Sequence, residues 1–227
     1  MREVDAEQRL IAEAMRIYER YATEVIEAHN FCPWAADARR DGSVSVMVML
    51  GEQVTPDEVS AAACEMAKNE TTVIGLLLFP QLAVDAVRFQ HFAAQVRAQT
   101  DQNYPRGQAQ WAIADFHPQG AADLTTSERA VAFIRKSPDP TLQLVRHSTL
   151  SALKRQSDGG TQFIDMASFD VQGTLPKAPR LPLHELVAQN NLRKLRDVAQ
   201  AVTKTLADIQ RDREISYAAT GLIVPSW

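Results

Sequence analysis

Five side chains carry most of the chemistry this sequence offers: Cys32, His117, Lys136, Ser137 and Arg146. A thiol, an imidazole, a hydroxyl and two cations make the inventory of a nucleophilic or redox site acting on an anion. The thiolate is the reactive form of cysteine, and it needs a base or a cation beside it. Histidine moves protons near neutral pH. A guanidinium grips a carboxylate or phosphate through two parallel bonds. Cys32 is therefore read as nucleophile or redox thiol, His117 as general acid or base, and Lys136, Ser137 and Arg146 as the substrate-binding set. Each also has a structural reading. Cys32 can be a small buried hydrophobe, His117 a turn residue bonded to backbone, and Arg146 a strand arginine covered by a carboxylate. Cys64, mid-helix in AAACEMAK, reads as core, and His147 reads as surface.

Other chemistries lack their patterns. No close-spaced Cys/His pair occurs, so the protein is expected to be metal-free, with Cys32, His117 and His147 the one conceivable ligand set. Glycine-rich phosphate loops and serine-hydrolase elbows are absent. No cofactor is expected.

The elements that must position these residues follow from periodicity. Leu10, Ala14, Ile17, Tyr21 and Val25 form one helical stripe between about residues 4 and 29. Pro33 then disfavours helical geometry at Cys32. SVSVMVML (43–50) alternates as a strand, and TPDE (55–58) is a capping box that opens a helix to about Asn69. TTVIGLLLF (71–79) is apolar on both faces, the mark of a strand covered on both sides. A helix over 83–100 should turn Val87, Phe92 and Val96 to the core. QWAIADF (110–116) is a third strand, ending in Phe-His-Pro, and TLQLVRH (141–147) a fourth. A short helix is expected near Ser127–Arg135 and another after Ser148. SDGG (157–160) reads as a loop, LPKAPRLP (175–182) as an extended connector, and 183–212 as a long amphipathic helix.

Strand, helix, strand, helix, strand predicts crossover units. The expected fold is therefore a single α/β domain over 1–227. A mixed four-stranded sheet of β-α-β units is flanked by the N- and C-terminal helices. Sites in such sheets lie beyond the carboxyl ends of strands, where Phe116-His117-Pro118 falls.

Composition narrows the partners. The chain has 227 residues, 45% of them hydrophobic, and a net charge of −4. No clustered basic excess suits a nucleic-acid surface, and the cluster LRKLR (192–196) sits among acidic neighbours as a solvated helix face. No apolar run approaches a membrane span or a signal peptide, and two cysteines make no disulfide framework. A soluble protein of the reducing cytoplasm is expected, with a small anionic ligand, no nucleic acid and no membrane as partner.

Taken together, Cys32-Pro33-Trp34-Ala35, Phe116-His117-Pro118 and Lys136-Ser137-Pro138-Asp139-Pro140 leading to Leu144-Val145-Arg146 resemble a family. It is the bacterial and plant domain of unknown function DUF1415. Its pattern is Cys-Pro-aromatic-Ala, Phe-His-Pro, and Arg-Ser-Pro-Tyr-Pro leading to Leu-Leu-Arg. A later Asn before a Leu-rich helix is echoed by Asn191 through Leu195. The likeness spans about residues 20–200. Lys136 replaces the family's arginine, Asp139 its tyrosine, and His147 the acid after the last arginine. The resemblance implies a site and names no reaction. The leading expectation is a small-molecule enzyme, a hydrolase or group transferase, with a cleft lined by all five residues. The alternatives are a non-catalytic ligand- or metal-binding protein using the same pocket, and a scaffold whose motifs only brace loops.

Overall fold

The computed structural model describes residues 2–32, 35–105, 108–121, 123–151 and 183–227. The expected loop at 157–160, the connector at 175–182 and most of the helix after Ser148 lie outside them.

Strands β1 (Val44–Val48), β2 (Ile74–Leu78), β3 (Trp111–Phe116) and β4 (Thr141–Arg146) form one mixed sheet in the order β1-β2-β4-β3. Helix α3 (Pro56–Lys68) carries the chain from β1 to β2, which pair in parallel. Helix α4 (Ala86–Gln102) carries it from β2 to β3, leaving one place open between them. β4 fills that place and runs antiparallel to both neighbours, with Leu76 beside Gln143 and Ala114 on its other side. All of β2 is buried. The expected α/β fold with a mixed four-stranded sheet is what forms.

One face of the sheet is covered by α3 and α4. Val59, Ala63, Phe89 and Val96 pack there on Leu77, Ile113, Leu142 and Leu144. α3 opens with the expected capping box: Thr55 Oγ1 accepts from the Glu58 N–H (3.3 Å), and Glu58 Oε2 accepts from the Thr55 N–H (2.8 Å). Gly75 lets α3 approach, because a Cβ there would meet Met66 Sδ at 3.0 Å and Leu144 Cβ at 3.4 Å. On α4 the buried positions are Phe89, Ala93, Val96 and Thr100. Val87, expected inside, is 64% exposed. The helix is N-capped by Asp85, and its core stripe starts at Phe89.

The opposite face meets the two terminal helices. α1 (Arg2–Tyr21) buries Leu10, Ala14, Ile17 and Tyr21 completely, as its stripe requires. Its partners are α5 (Ser127–Ile134) and the long C-terminal helix α6 (Leu183–Ala218), through Ala130, Ile134, Leu195, Val202, Ile209 and Tyr217. A short helix α2 (Ala35–Arg40), not anticipated, follows the cysteine loop. No helix among the described residues is long and apolar enough to cross a membrane.

Candidate functional site

The segment that carries Cys32 is built by a change of helical pitch. After Tyr21 the chain winds as a π-helix over Ala22–Glu27. The wider turn continues beyond it: the Ala28 N–H donates to Thr23 O (3.0 Å), and the Phe31 N–H to Ile26 O (2.9 Å), each five residues back. Asn30 then takes a left-handed conformation, φ 48°, which asparagine tolerates better than most residues. Helix α6 fixes this bend. Asn191 Nδ2 donates to the Phe31 carbonyl (2.9 Å), and Lys194 Nζ to the Asn30 carbonyl (2.7 Å). Cys32 is thereby set on the wall of a cavity of about 830 Å³.

The floor of this cavity is the sheet face that carries Val44, Ile74, Leu76 and Gln143, and its walls come from the π-helix, α1, α5 and α6. Its polar groups are few. Burial pushes the Tyr18 and Tyr21 phenols above their ordinary range, and charge on Cys32 would push both the same way. Both phenols therefore stay protonated. Tyr21 donates to the Ile134 carbonyl (2.5 Å) and feels both Cys32 and Arg135 electrostatically.

Arg135 is the unusual member. Burial lowers its pKa, and Asp115 and Tyr21 offset this in part. Its guanidinium stands 5.5 Å from the Phe116 ring centroid, with no hydrogen bond or ion pair to it among the described residues. Arg39, by contrast, is matched. It donates to Glu19 (3.0 Å), and its Nε lies 2.8 Å from Glu27 Oε1. That second contact is an ion pair whose atoms are out of line for a hydrogen bond. Gln143, His147, Asn191, Ser127 and Ser151 add to the polar lining.

The five expected residues do not share one cleft. Cys32 lines the cavity, while His117, Lys136, Ser137 and Arg146 do not. Register explains why two of them are apart: Trp111 pairs with Arg146 and Phe116 with Thr141. Arg146 and His117 thus sit at opposite ends of β3, separated by about 17 Å of strand.

Each is engaged locally. Arg146 lies on the Leu142 and Leu144 face, over the Trp111 ring at 4.8 Å. Nε donates to Thr72 O (2.5 Å), Nη2 to Ala67 O and Asn69 O (2.8 and 2.7 Å), and Nη1 to Gln110 Oε1 (3.3 Å). It caps the C-terminal carbonyls of α3, where the helix dipole favours a cation. The structural reading of a covered strand arginine expects a carboxylate partner, and backbone carbonyls take that place.

His117 is buried, and both ring nitrogens meet backbone. Nε2 faces Val84 O (2.9 Å), and Nδ1 accepts from the Gln119 N–H (3.1 Å). Ser137 Oγ donates to Asp139 O (2.5 Å). Lys136 stands 5.8 Å from the Phe133 ring centroid. Cys64 lies 3.4 Å from Asn103 Nδ2, and neither cysteine is in a disulfide. Among the described residues, no group of three or more His, Cys, Asp or Glu is placed to hold a metal ion.

The residues that sequence reasoning passed over are Arg135 and Gln143. The first sits directly before Lys136, which took the basic role by alignment to the Ser-Pro motif. The second carries a usable signal. A glutamine on the inner face of a strand covered on both sides has no water to face, so it must meet a cavity or a partner.

No curated protein matches the chain, and no solved structure does. A family model, described only as a protein of unknown function, matches residues 13–163. Since that span carries Cys32, the Phe-His-Pro turn and the Ser-Pro loop in order, the chain belongs to the DUF1415 family.

Proposed function

We propose that this protein is a small-molecule enzyme, of hydrolase or group-transferase type, acting on an anionic substrate with an apolar body in the Cys32 cavity. The observation that carries this reading is Arg135. A half-buried guanidinium with no hydrogen-bonded counter-charge among the described residues faces a mostly apolar space that also holds a thiol. Such a group is matched by an anion. In this scheme Arg135 holds the charge, Gln143 orients the ligand and Cys32 supplies the nucleophile. His147, which lines the same cavity, takes the proton role first given to His117. Both thiols stay reduced, as in a reducing cytoplasm. A second reading, a non-catalytic binding protein using this pocket, is favoured by one feature: the tyrosines nearest Cys32 stay protonated and give the thiol no base.

Paired alkylating reagents test the proposal, with Cys64 as internal control. Iodoacetate is an anion and iodoacetamide is neutral. The iodoacetate-to-iodoacetamide rate ratio is expected to be severalfold higher at Cys32 than at Cys64, and Arg135→Gln should bring it down to the Cys64 value. Equal ratios at both cysteines would remove the anion site. The pH dependence separates the two readings. A Cys32 midpoint below the ordinary thiol value of about 8.5 supports the enzyme, and a midpoint at or above it supports the binding protein.

A further inference from the structure

A second pocket, of about 410 Å³, adjoins the Cys32 cavity on the side of β1. The two share five lining residues: Tyr18 and Ala22 from the helices above, Val44 and Leu76 from the sheet below, and Arg39 from α2. Their common floor can be followed strand by strand. Register sets Val46 beside Leu76, Leu76 beside Gln143, and Gln143 beside Ala114. Residues directly opposite one another share a face of the sheet, so these four make one row across all four strands. Leu76 and Gln143 line the Cys32 cavity, and Leu76 and Val46 line its neighbour.

Along that row polarity falls in one direction. Gln143 marks one end, together with Arg135, whose guanidinium stands 5.5 Å from the Phe116 ring centroid on β3. Toward β1 the floor becomes Leu76, Val44 and Val46. The arginines there are already matched. Arg39 meets Glu19 at 3.0 Å and Glu27 at 2.8 Å, and the exposed Arg40 pairs with Asp37. A second anionic group would find no unmet cation at that end, whereas an alkyl chain needs none. Met15 also lines the second pocket, 44% exposed and off the buried stripe of α1. Its flexible thioether suits it to cover a chain of varying shape.

We propose that the ligand of the Cys32 cavity is a long-chain carboxylate. Its head meets Arg135 and Gln143, and its unbranched tail crosses the sheet into the pocket beside β1. This rests on the anion site proposed above and adds the chemical class of the apolar body. Three strand spacings, about 14 Å, separate β3 from β1. A zigzag alkyl chain advances about 1.3 Å for each C–C bond of about 1.5 Å, so roughly ten carbons span the row. A compact ring system would fill the Cys32 cavity and leave the second pocket unused.

The test is calorimetric titration of the full-length protein with butanoate, octanoate and decanoate below micellar concentrations, and with 1-decanol as the neutral control. Affinity is expected to climb with length, by up to about fourfold for each methylene buried. Two variants act at the far pocket, both at exposed helix positions that line it: Ala36→Trp and Met15→Asp. A loss of about tenfold for decanoate, the worth of two or so buried methylenes, is expected in at least one of them, with butanoate binding and the circular dichroism spectrum unchanged. A flat length series, decanoate affinity unchanged in both variants, or no binding by any member would overturn the proposal. Arg135→Gln separates this from the anion reading, since it should weaken butanoate and decanoate alike and spare decanol. If it weakens butanoate while the far-pocket variants change nothing, the tail site falls and the anion site stands. If it weakens neither acid while those variants weaken decanoate and decanol, the anion site falls and the tail pocket stands.

Discussion

His117 shows how much a single side chain can be decided by its two nearest backbone atoms. With Nδ1 accepting from the Gln119 N–H and Nε2 facing a carbonyl, the ring is held as the neutral Nε2–H tautomer. A proton added at Nδ1 would point at another donor. Burial lowers the pKa, and the Val84 carbonyl opposes that shift only in part. A histidine whose folded pKa is depressed stabilises the fold fully above its unfolded value. That stability is lost as pH falls from 6.5 toward the folded pKa. Urea denaturation should therefore show stability declining below neutrality, and the decline should be absent in His117→Gln. At neutral pH that variant should be less stable by about 1 kcal/mol, one hydrogen bond. An unchanged pH profile would show that the ring is not pinned. The residue's type and its place at a strand end were legible from Phe-His-Pro. Its bonding was not, because Val84 and Gln119 reach it only through the turn and the packing of the loop before α4. For Cys32 the loop position was legible, but the companions in its cavity come from other elements, and only folding selects Arg135 over Lys136.

Between elements, the clearest bond is the clasp of α1 to α6. Arg16 meets both Asp212 oxygens at 2.8 Å, and Arg20 adds a third bond at 2.8 Å. These bonds bring the Asp212 pKa down to about 2, chiefly through Arg16. Asp212→Asn should cost about 1 kcal/mol at neutral pH and low salt, the upper range for a solvent-facing pair. The deficit should shrink in high salt. It should also disappear in acid, because a depressed carboxylate stabilises above its unfolded pKa and loses that contribution as pH falls through about 2. Thermal melts of the two proteins across pH and salt would check this, and parallel curves would sink it. Most elements were readable from the chain, since apolar spacing reports which face is buried. Spacing says nothing of which strands become neighbours, so the place of β4 between β2 and β3 had to be observed. The π-helix was equally hidden, because its sequence continues the α1 stripe through Val25 without a break.

The whole molecule is locked by one buried cluster. Arg213, with no solvent exposure, donates to Asp139 Oδ1 (2.7 Å), Pro225 O (2.8 Å) and Pro80 O (3.3 Å). The Tyr217 hydroxyl donates to Asp139 Oδ2 (2.6 Å). Asp139 lies within the family-matched span of 13–163, and both of its side-chain partners lie beyond it. Removing one charge strands the other, so Arg213→Met should cost about 3–5 kcal/mol. Adding Asp139→Asn should recover part of that loss. Strictly additive losses in chemical denaturation would refute the coupling. The order of the sheet carries a further consequence, for synthesis. β2 gains its second neighbour only when β4 emerges, 68 residues after β2 ends (146 − 78). At usual translation speeds that is roughly 3–14 s. Through that interval the bare edge of an all-apolar strand is open to other chains, and α1 waits longer still for its helix partner, 196 positions away. The last of the described strands to be made is thus the one that seals the middle of the sheet, and a ribosome stalled before residue 141 would hold a nascent chain primed to aggregate.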